Sequence, residues 1–257
     1  MRKLAGLAGI ATAAWLSSVA QAHDFFLIPD QFVAVQAGPQ PLQASVGSSF
    51  PQPVTVVTTD RVDRLFAHGP GKPRLAIVGP GEKALNLRLT GASSGTVVAG
   101  VKTVDRDVEY AEDRIPLILE EYKVSPQALT AVEGLARPRT LRVSSRRFAK
   151  TMFCVRQCGK DTAAAARPMG VALEFVATGS SADHFRLFSL GRPLADYPID
   201  LVTADGKRAH LKTDGKGEVH LAPGARGSMM LFAAVMTPPV GAERFILNLS
   251  TLTFARH

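Results

Sequence analysis

Residues 198–221 read PIDLVTADGKRAHLKTDGKGEVHL, and this stretch decides the fold class. Short runs of apolar and β-branched residues alternate here with two turn signals, Asp205-Gly206 and Asp214-Gly215. Asp-Gly between such runs is typical of a tight turn that joins antiparallel strands. The stretch therefore predicts three strands, at 199–202, 208–212 and 218–221, which are connected by two hairpin turns.

The same rhythm extends over both halves of the chain. Strand-like runs separated by Gly and Pro recur between residues 25 and 109, and again from residue 171 to the C-terminus. One strand about every 8–12 residues is typical of antiparallel sandwiches. We therefore predict an all-β protein made of two immunoglobulin-like or prealbumin-like antiparallel sandwiches.

Residues 111–169 interrupt this rhythm. Ser125 and Pro126 suit the N-cap and first turn of a helix, and Gly134 suits its end. The prediction is a short, partly helical connecting segment over 111–169. It joins an N-terminal sandwich at 23–110 to a C-terminal sandwich at 170–257.

The first 22 residues have the composition of a secretory signal peptide. Arg2 and Lys3 precede an apolar stretch, and Ala20 and Ala22 occupy the positions at which signal peptidase requires small residues. We expect cleavage after Ala22, a periplasmic or secreted location, and no transmembrane segment in the mature chain.

Charge and motifs exclude several classes of function. The net charge of +8 comes without a dense block of Lys and Arg interleaved with aromatic residues, so we expect no nucleic-acid partner. The sequence contains no G-x-S-x-G, H-E-x-x-H, phosphate-loop or dinucleotide-binding motif. We therefore predict no catalytic residues and no enzymatic activity.

Cys154 and Cys158 are the two cysteines of the chain. An exported protein favours a disulfide. An extended strand, however, would hold their Cα atoms roughly 13 Å apart, beyond the ~7 Å limit for bridging. A disulfide therefore requires a turn after Cys154, which Gly159 permits. A soft-metal site and free thiols are the alternatives.

The cleavage site also creates a candidate metal ligand. Removal of residues 1–22 makes His23 the first residue, so that it carries both an α-amine and an imidazole that can be neutral near physiological pH. Together these nitrogens chelate a metal ion, and imidazole suits copper, nickel and zinc. Asp24 adds a nearby oxygen.

Three further histidines are considered as ligands. In a hairpin that turns near Gly215, His210 and His220 would face each other across the two strands, within about 5 Å. This pairing predicts a two-histidine metal site; the alternative is that both are solvated surface residues. His68, just before a Gly-Pro-Gly turn, is an additional candidate ligand.

Several stretches resemble one known family. Residues 23–29, HDFFLIP, are similar to the HDFWLxP opening of an exported bacterial family, the domain-of-unknown-function family numbered 4198. Residues 144–153, SSRRFAKTMF, are similar to a segment of that family built around an Ala-Lys pair. Residues 191–221 resemble its second domain in outline. Its members are often described as periplasmic components of nickel or cobalt uptake.

The resemblance implies that the chain binds nickel or cobalt outside the inner membrane and delivers it to an inner-membrane metal transporter. Two other functions are open. One is a periplasmic copper-binding protein, in which the amine and imidazole of His23 and a second imidazole form a histidine brace. The other is an envelope interaction module that binds no metal.

Overall fold

The computed structural model describes residues 24–48, 50–159, 162–179, 182–224, 226–241 and 243–256. Within these residues the strands form three sheets, of five, nine and four strands. We call them the N-terminal sheet, the central sheet and the small sheet. The predicted all-β sandwich fold is confirmed. The signal peptide predicted at 1–22, and His23, lie outside the described residues.

The first nine strands are β1 (Asp24–Pro29), β2 (Val33–Ala34), β3 (Gln40–Gly47), β4 (Thr55–Val56), β5 (Val62–His68), β6 (Gly71–Pro80), β7 (Leu85–Ala92), β8 (Gly95–Thr103) and β9 (Arg106–Ala111), with a 3₁₀ helix at Thr59–Arg61 before β5. The N-terminal sheet has the order β1-β3-β7-β6, with β4 paired to β3. β7 shows why these residues form strands, because Leu85, Leu87 and Leu89 are buried on one face while Arg88 is exposed on the other.

The middle of the chain contains α1 (Ile115–Glu121), α2 (Pro126–Glu133) and β10 (Thr140–Val155). The predicted helix is confirmed, since the Ser125 hydroxyl accepts a hydrogen bond from the Ala128 N–H at the start of α2. β10 was not predicted and lies within the segment assigned as a connection. From Phe148 onward nearly all of its residues are buried, so this part lacks the polar–apolar alternation of a half-exposed strand.

The C-terminal part contains β11 (Leu173–Ala177), β12 (His184–Ser189), β13 (Arg192–Pro193), β14 (Pro198–Thr203), β15 (Arg208–Lys212), β16 (Glu218–His220), β17 (Gly227–Thr237) and β18 (Phe245–Arg256). The first predicted hairpin is confirmed, because β14 pairs with β15. The second is wrong. The turn after β15 carries the chain into the small sheet, where β16 pairs with β12.

The central sheet has the order β15-β14-β17-β18-β10-β8-β5, with β2 and β9 also paired to β10. β10 runs parallel to β18 from Val143 opposite Phe245 to Thr151 opposite Thr253. It runs antiparallel to β8. Strands from both predicted sandwiches therefore belong to one sheet, and the segment 111–169 contributes its centre.

The core lies in layers on both faces of the central sheet. The small sheet packs on one face, where the rings of Phe185 and Phe254 are 4.7 Å apart. The N-terminal sheet packs on the opposite face, where Leu87 and Phe153 belong to one buried cluster. The two helices cover the remainder of that opposite face, with Ile118 buried against β17 and β18. These layers place the start of β1 over β18 and next to the β14–β15 hairpin.

The cysteine prediction is confirmed as a disulfide. Cys154 lies near the end of β10, and the chain then turns through Arg156, whose φ is 61°. The turn brings the Cα atom of Cys158 to 5.4 Å from that of Cys154, and the two sulfurs are bonded. Within the part of the chain that the structure describes, neither helix is long and apolar enough to cross a membrane.

Candidate functional site

The beginning of β1 is fixed in place from its first residue. Asp24 lies opposite Gly47 of β3, and Phe25 and Leu27 are buried in the core. The hydroxyl of Thr251 in β18 donates a hydrogen bond of 2.7 Å to the carbonyl of Phe25. The residue directly after His23 is therefore held between the N-terminal sheet and the central sheet.

The carboxyl of Asp24 is 3% exposed and binds the guanidinium of Arg208 through Oδ2. Arg208 also donates from Nη1 to Oδ2 of Asp200 over 2.9 Å, so that one arginine links two buried aspartates. Oδ1 of Asp24 is buried and has no hydrogen-bond partner among the described residues. We call Asp24, Lys123, Asp200, Arg208 and His210 the N-terminal charge cluster.

His210 joins this cluster through the β14–β15 hairpin, in which it lies directly opposite Asp200. Its Nδ1 is 2.7 Å from Oδ1 of Asp200 and 2.9 Å from Nζ of Lys123, which itself pairs with Oδ1 of Asp200. Lys123 can only donate, so Nδ1 cannot both donate to Asp200 and accept from Lys123. We assign the proton to Nδ1, since its lone pair would otherwise face the carboxylate of Asp200, and Lys123 then bonds to that carboxylate rather than to the ring. This assignment leaves the lone pair of the imidazole on Nε2.

The two aspartates have opposite electrostatic environments. Burial raises the pKa of Asp24 to about 6, although the charge and hydrogen bond of Arg208 act to lower it. Burial also acts to raise the pKa of Asp200. Hydrogen bonds from Lys123, His210 and Arg208 outweigh it, and its pKa is lowered. Asp200 is therefore the more acidic carboxyl of the cluster, and Asp24 is the one whose charge changes in mildly acidic solution.

A small cavity of about 10 Å³ adjoins Asp24. This is close to the space that one water-sized species needs. The two acidic side chains that line the cavity, Asp24 and Glu121, carry oxygen atoms of the kind that bind a cation or a water molecule. The cavity is lined by Asp24, Phe25, Glu121, Tyr122, Arg147, Phe232, Leu249 and Thr251.

Comparison with known proteins identifies the family. The family described as Domain of unknown function (DUF4198) matches residues 20–237. The chain belongs to this family. The match extends to the end of β17 and includes every residue of the N-terminal charge cluster. No curated protein matches the sequence. Among solved structures, the D0-D1 domain of Intimin is similar with 12% identity and a TM-score of 0.22, covering 90% of this chain and 97% of that chain.

The structure of this DUF4198 protein links two of the predicted ligands, Asp24 and His210, indirectly, because Arg208 bonds to Asp24 and to Asp200 and Asp200 contacts His210. It separates His210 from His220, so the predicted cross-strand pairing of these histidines is wrong. His210 faces Asp200 in the central sheet, whereas His220 faces His184 in the small sheet. The turn at 213–217 joins strands of different sheets, which the Asp-Gly signal alone does not reveal.

His68 lies apart from the N-terminal charge cluster, at the end of β5 opposite Val98. Burial lowers its pKa, and the charges of Arg167 and Lys150 lower it further. Its Nδ1 is buried without a hydrogen-bond partner among the described residues. The charge of Glu174 acts in the opposite direction. The structure therefore keeps His68 apart from Asp24 and His210, and its role as a ligand stays a prediction.

Proposed function

We propose that this DUF4198 protein is a non-catalytic periplasmic carrier of a divalent transition-metal ion, nickel or cobalt, which it passes to an inner-membrane transporter. The observation that supports the proposal is the position of His210. Asp200 holds this imidazole in the same charge cluster as Asp24, the residue that follows His23. After cleavage His23 supplies its α-amine and imidazole, and His210 supplies Nε2.

The arrangement around His210 suits a metal ligand. A ligating histidine commonly donates its other ring N–H to a carboxylate, which fixes the tautomer and raises the basicity of the ligating nitrogen. Asp200 is placed to accept that bond over 2.7 Å. The side chain of His210 is 69% exposed, so a metal ion arriving from solution has access to it.

The charges of the cluster suit reversible binding. Arg208 and Lys123 offset the charges of Asp24 and Asp200, so the donors offered to the metal are mainly neutral nitrogens. Neutral imidazole and amine donors suit nickel, cobalt and copper. No thiolate competes to retain the ion, because both cysteines are in the disulfide. Moderate affinity is what a carrier requires, since it must release its cargo.

Asp24 is suited to bind a nearby positive group because one of its buried carboxyl oxygens, Oδ1, has no hydrogen-bond partner among the described residues. A buried carboxylate oxygen without a partner costs free energy unless a cation or a donor lies close to it. Oδ1 of Asp24 is in that position among the described residues. The terminal amine or the metal ion itself would satisfy it.

The test is a calorimetric titration of chain purified from an exporting host, so that His23 is terminal. Ni²⁺, Co²⁺, Cu²⁺ and Zn²⁺ are compared with the same chain carrying an extra N-terminal Gly. We expect stoichiometric binding of Ni²⁺ or Co²⁺ that the extra Gly abolishes, and binding weakened by about tenfold or more in His210→Gln.

Three outcomes decide against parts of this proposal. A strong preference for Cu²⁺ would favour the copper-binding alternative with a histidine brace. Equal binding by the native and the Gly-extended chain would remove His23 from the site. Absence of binding by either chain would leave an interaction module of the cell envelope.

A further inference from the structure

A second group of metal-ligating side chains lies on the exposed face of the small sheet, where β12 meets β16. His184 of β12 is directly opposite His220 of β16, and their rings are in edge-to-face contact with centroids 4.4 Å apart. Glu218 lies two residues before His220 and so points to the same face. Asp214 lies in the turn before β16. We call these four residues the β12–β16 cluster.

Three members of this cluster, Asp214, Glu218 and His220, have ligand atoms at separations close to those of a metal site. His184 adjoins them through its ring contact with His220. Nε2 of His220 is 3.7 Å from Oε2 of Glu218. One ligand atom each from Asp214, Glu218 and His220 lies within 4.8 Å of the others. Metal–ligand bonds of about 2.1 Å in tetrahedral geometry hold the ligand atoms about 3.4 Å apart. The ligand atoms would have to move closer together to bind one ion, and the side chains of Asp214 and His220 are exposed.

Both carboxylates are held in place by hydrogen bonds to one of their two oxygens. Oδ1 of Asp214 accepts hydrogen bonds from the backbone N–H groups of Lys216 and Glu218, and each donor–acceptor distance is 2.8 Å. Arg186 donates to Oε1 of Glu218, and Oε2 is the oxygen nearer His220. Arg186 thus orients the carboxylate, as residues around metal ligands commonly do.

We propose that His184, His220, Glu218 and Asp214 form a binding site for a divalent transition-metal ion that prefers nitrogen and oxygen ligands, such as Zn²⁺, Ni²⁺ or Cu²⁺. His220 is 53% exposed, so an ion enters directly from solution. The site is built without His23 or the N-terminal charge cluster. It therefore stands independently of the carrier function proposed above and gives the protein a second equivalent of metal.

A metal ion at this position has a structural consequence. Asp214 belongs to the turn that carries the chain from β15 of the central sheet to β16 of the small sheet. An ion shared by Asp214 and His184 would link that turn to β12. When a ligand binds only the folded state and its free concentration is about 100 times its Kd, the melting temperature of a protein of this size rises by roughly 5–10 °C.

The experiment uses the Gly-extended chain carrying His210→Gln, in which the first site is removed by design. After treatment with a chelator, it is titrated with Zn²⁺ and Ni²⁺ by calorimetry, and its melting temperature is measured with each metal. We expect one equivalent of metal and a raised melting temperature. His184→Gln and His220→Gln should each weaken binding by at least about tenfold and remove the thermal shift.

A matched pair of variants tests the carboxylate. Asp214→Asn keeps an oxygen that accepts the turn's N–H groups but removes the charge, whereas Asp205→Asn makes the same change in the other Asp-Gly turn. Asp205 contacts Thr203 and Lys207 there. We expect weaker binding in Asp214→Asn and unchanged binding in Asp205→Asn.

Absence of stoichiometric binding in the Gly-extended chain, or undiminished binding in His184→Gln, would overturn the second site. Equal effects of Asp214→Asn and Asp205→Asn would do the same. Because the first site is absent from this chain, none of these results bears on His23. Failure of the carrier proposal would appear only in the comparison of native and Gly-extended chains.

Discussion

At the scale of single residues, the protonation of Asp24 at the start of β1 makes the stability of the folded state depend on pH. Its pKa is raised from 3.8 to about 6, with burial as the main cause. In the unfolded chain the carboxyl ionises near its ordinary pKa, so between about pH 4 and pH 6 the folded state binds more protons than the unfolded state. The stability contributed by Asp24 is therefore complete below about pH 4 and is lost as the pH rises through about 6.

Asp24→Asn should remove this dependence, because Asn does not titrate. We expect the free energy of unfolding of the parent, relative to the variant, to fall by about 2 kcal/mol between about pH 4 and pH 7. Urea unfolding of the Gly-extended chain with chelator present, at several pH values, measures the difference. Asp30→Asn, at an exposed position after β1, controls for the loss of one carboxyl. A difference that stays constant over this range would contradict the prediction.

The residues of the N-terminal charge cluster were predictable only in part. Asp200 and His210 lie at equal distances from Asp205 along the sequence, so the first hairpin already places them opposite each other. Asp24 and His210 were predicted as candidate ligands from their chemistry. The link between Asp24 and Arg208 joins residues 184 positions apart. It depends on how the N-terminal sheet packs against the central sheet, which no local pattern specifies.

At the scale of elements, β10 is attached to the small sheet by a buried ion pair. Lys150 is 2% exposed and donates to Oε2 of Glu174 in β11 over 2.9 Å and to the carbonyl of Phe175 over 2.7 Å. Glu174 also accepts hydrogen bonds from the backbone N–H groups of Met169 and Gly170, and each donor–acceptor distance is 2.9 Å. The two bonds of Lys150 therefore link the central sheet to β11, and the two bonds from Met169 and Gly170 link β11 to the chain that precedes it.

Lys150→Met should lower the free energy of unfolding by about 3–5 kcal/mol, because it leaves the carboxylate of Glu174 buried without its cation. Lys150→Met with Glu174→Gln should recover part of this loss, since the buried charge is gone and the amide oxygen still accepts a hydrogen bond. Urea unfolding at neutral pH compares the parent with both variants. A double variant no more stable than the single one would count against this explanation.

Local sequence patterns predicted the strands in which polar and apolar residues alternate, and they failed for the strand in which these residues do not alternate throughout. The strands of the first hairpin and the helix at Ser125 follow from turn and cap residues that act within a few positions. β10 combines an exposed Arg142 with the buried Lys150 and Thr151, because different parts of the strand meet the helices, the N-terminal sheet and the small sheet. Such a sequence has no single period, so its strand character appears only in the assembled sheet.

At the scale of the whole molecule, the central sheet joins the two predicted sandwiches. β18 pairs with β17 on one side and, in parallel, with β10 on the other. A C-terminal piece beginning at residue 170 would therefore lack the neighbour of β18 from Phe245 to Thr253. It would also lose the helices that cover Leu247 on one face. The bounds at 110 and 170 stay predictions, but the strand pairing crosses both of them.

We therefore expect the folded chain to unfold as one cooperative unit. Differential scanning calorimetry should give a single transition whose calorimetric and van't Hoff enthalpies agree. Residues 170–256 expressed alone should fail to form a stable monomer, because the uncovered edge of β18 and its exposed apolar face favour association. Circular dichroism and sedimentation of that piece measure this directly. Two separated transitions in the full chain, or a folded monomeric piece, would show instead that the shared sheet does not couple the two sandwiches.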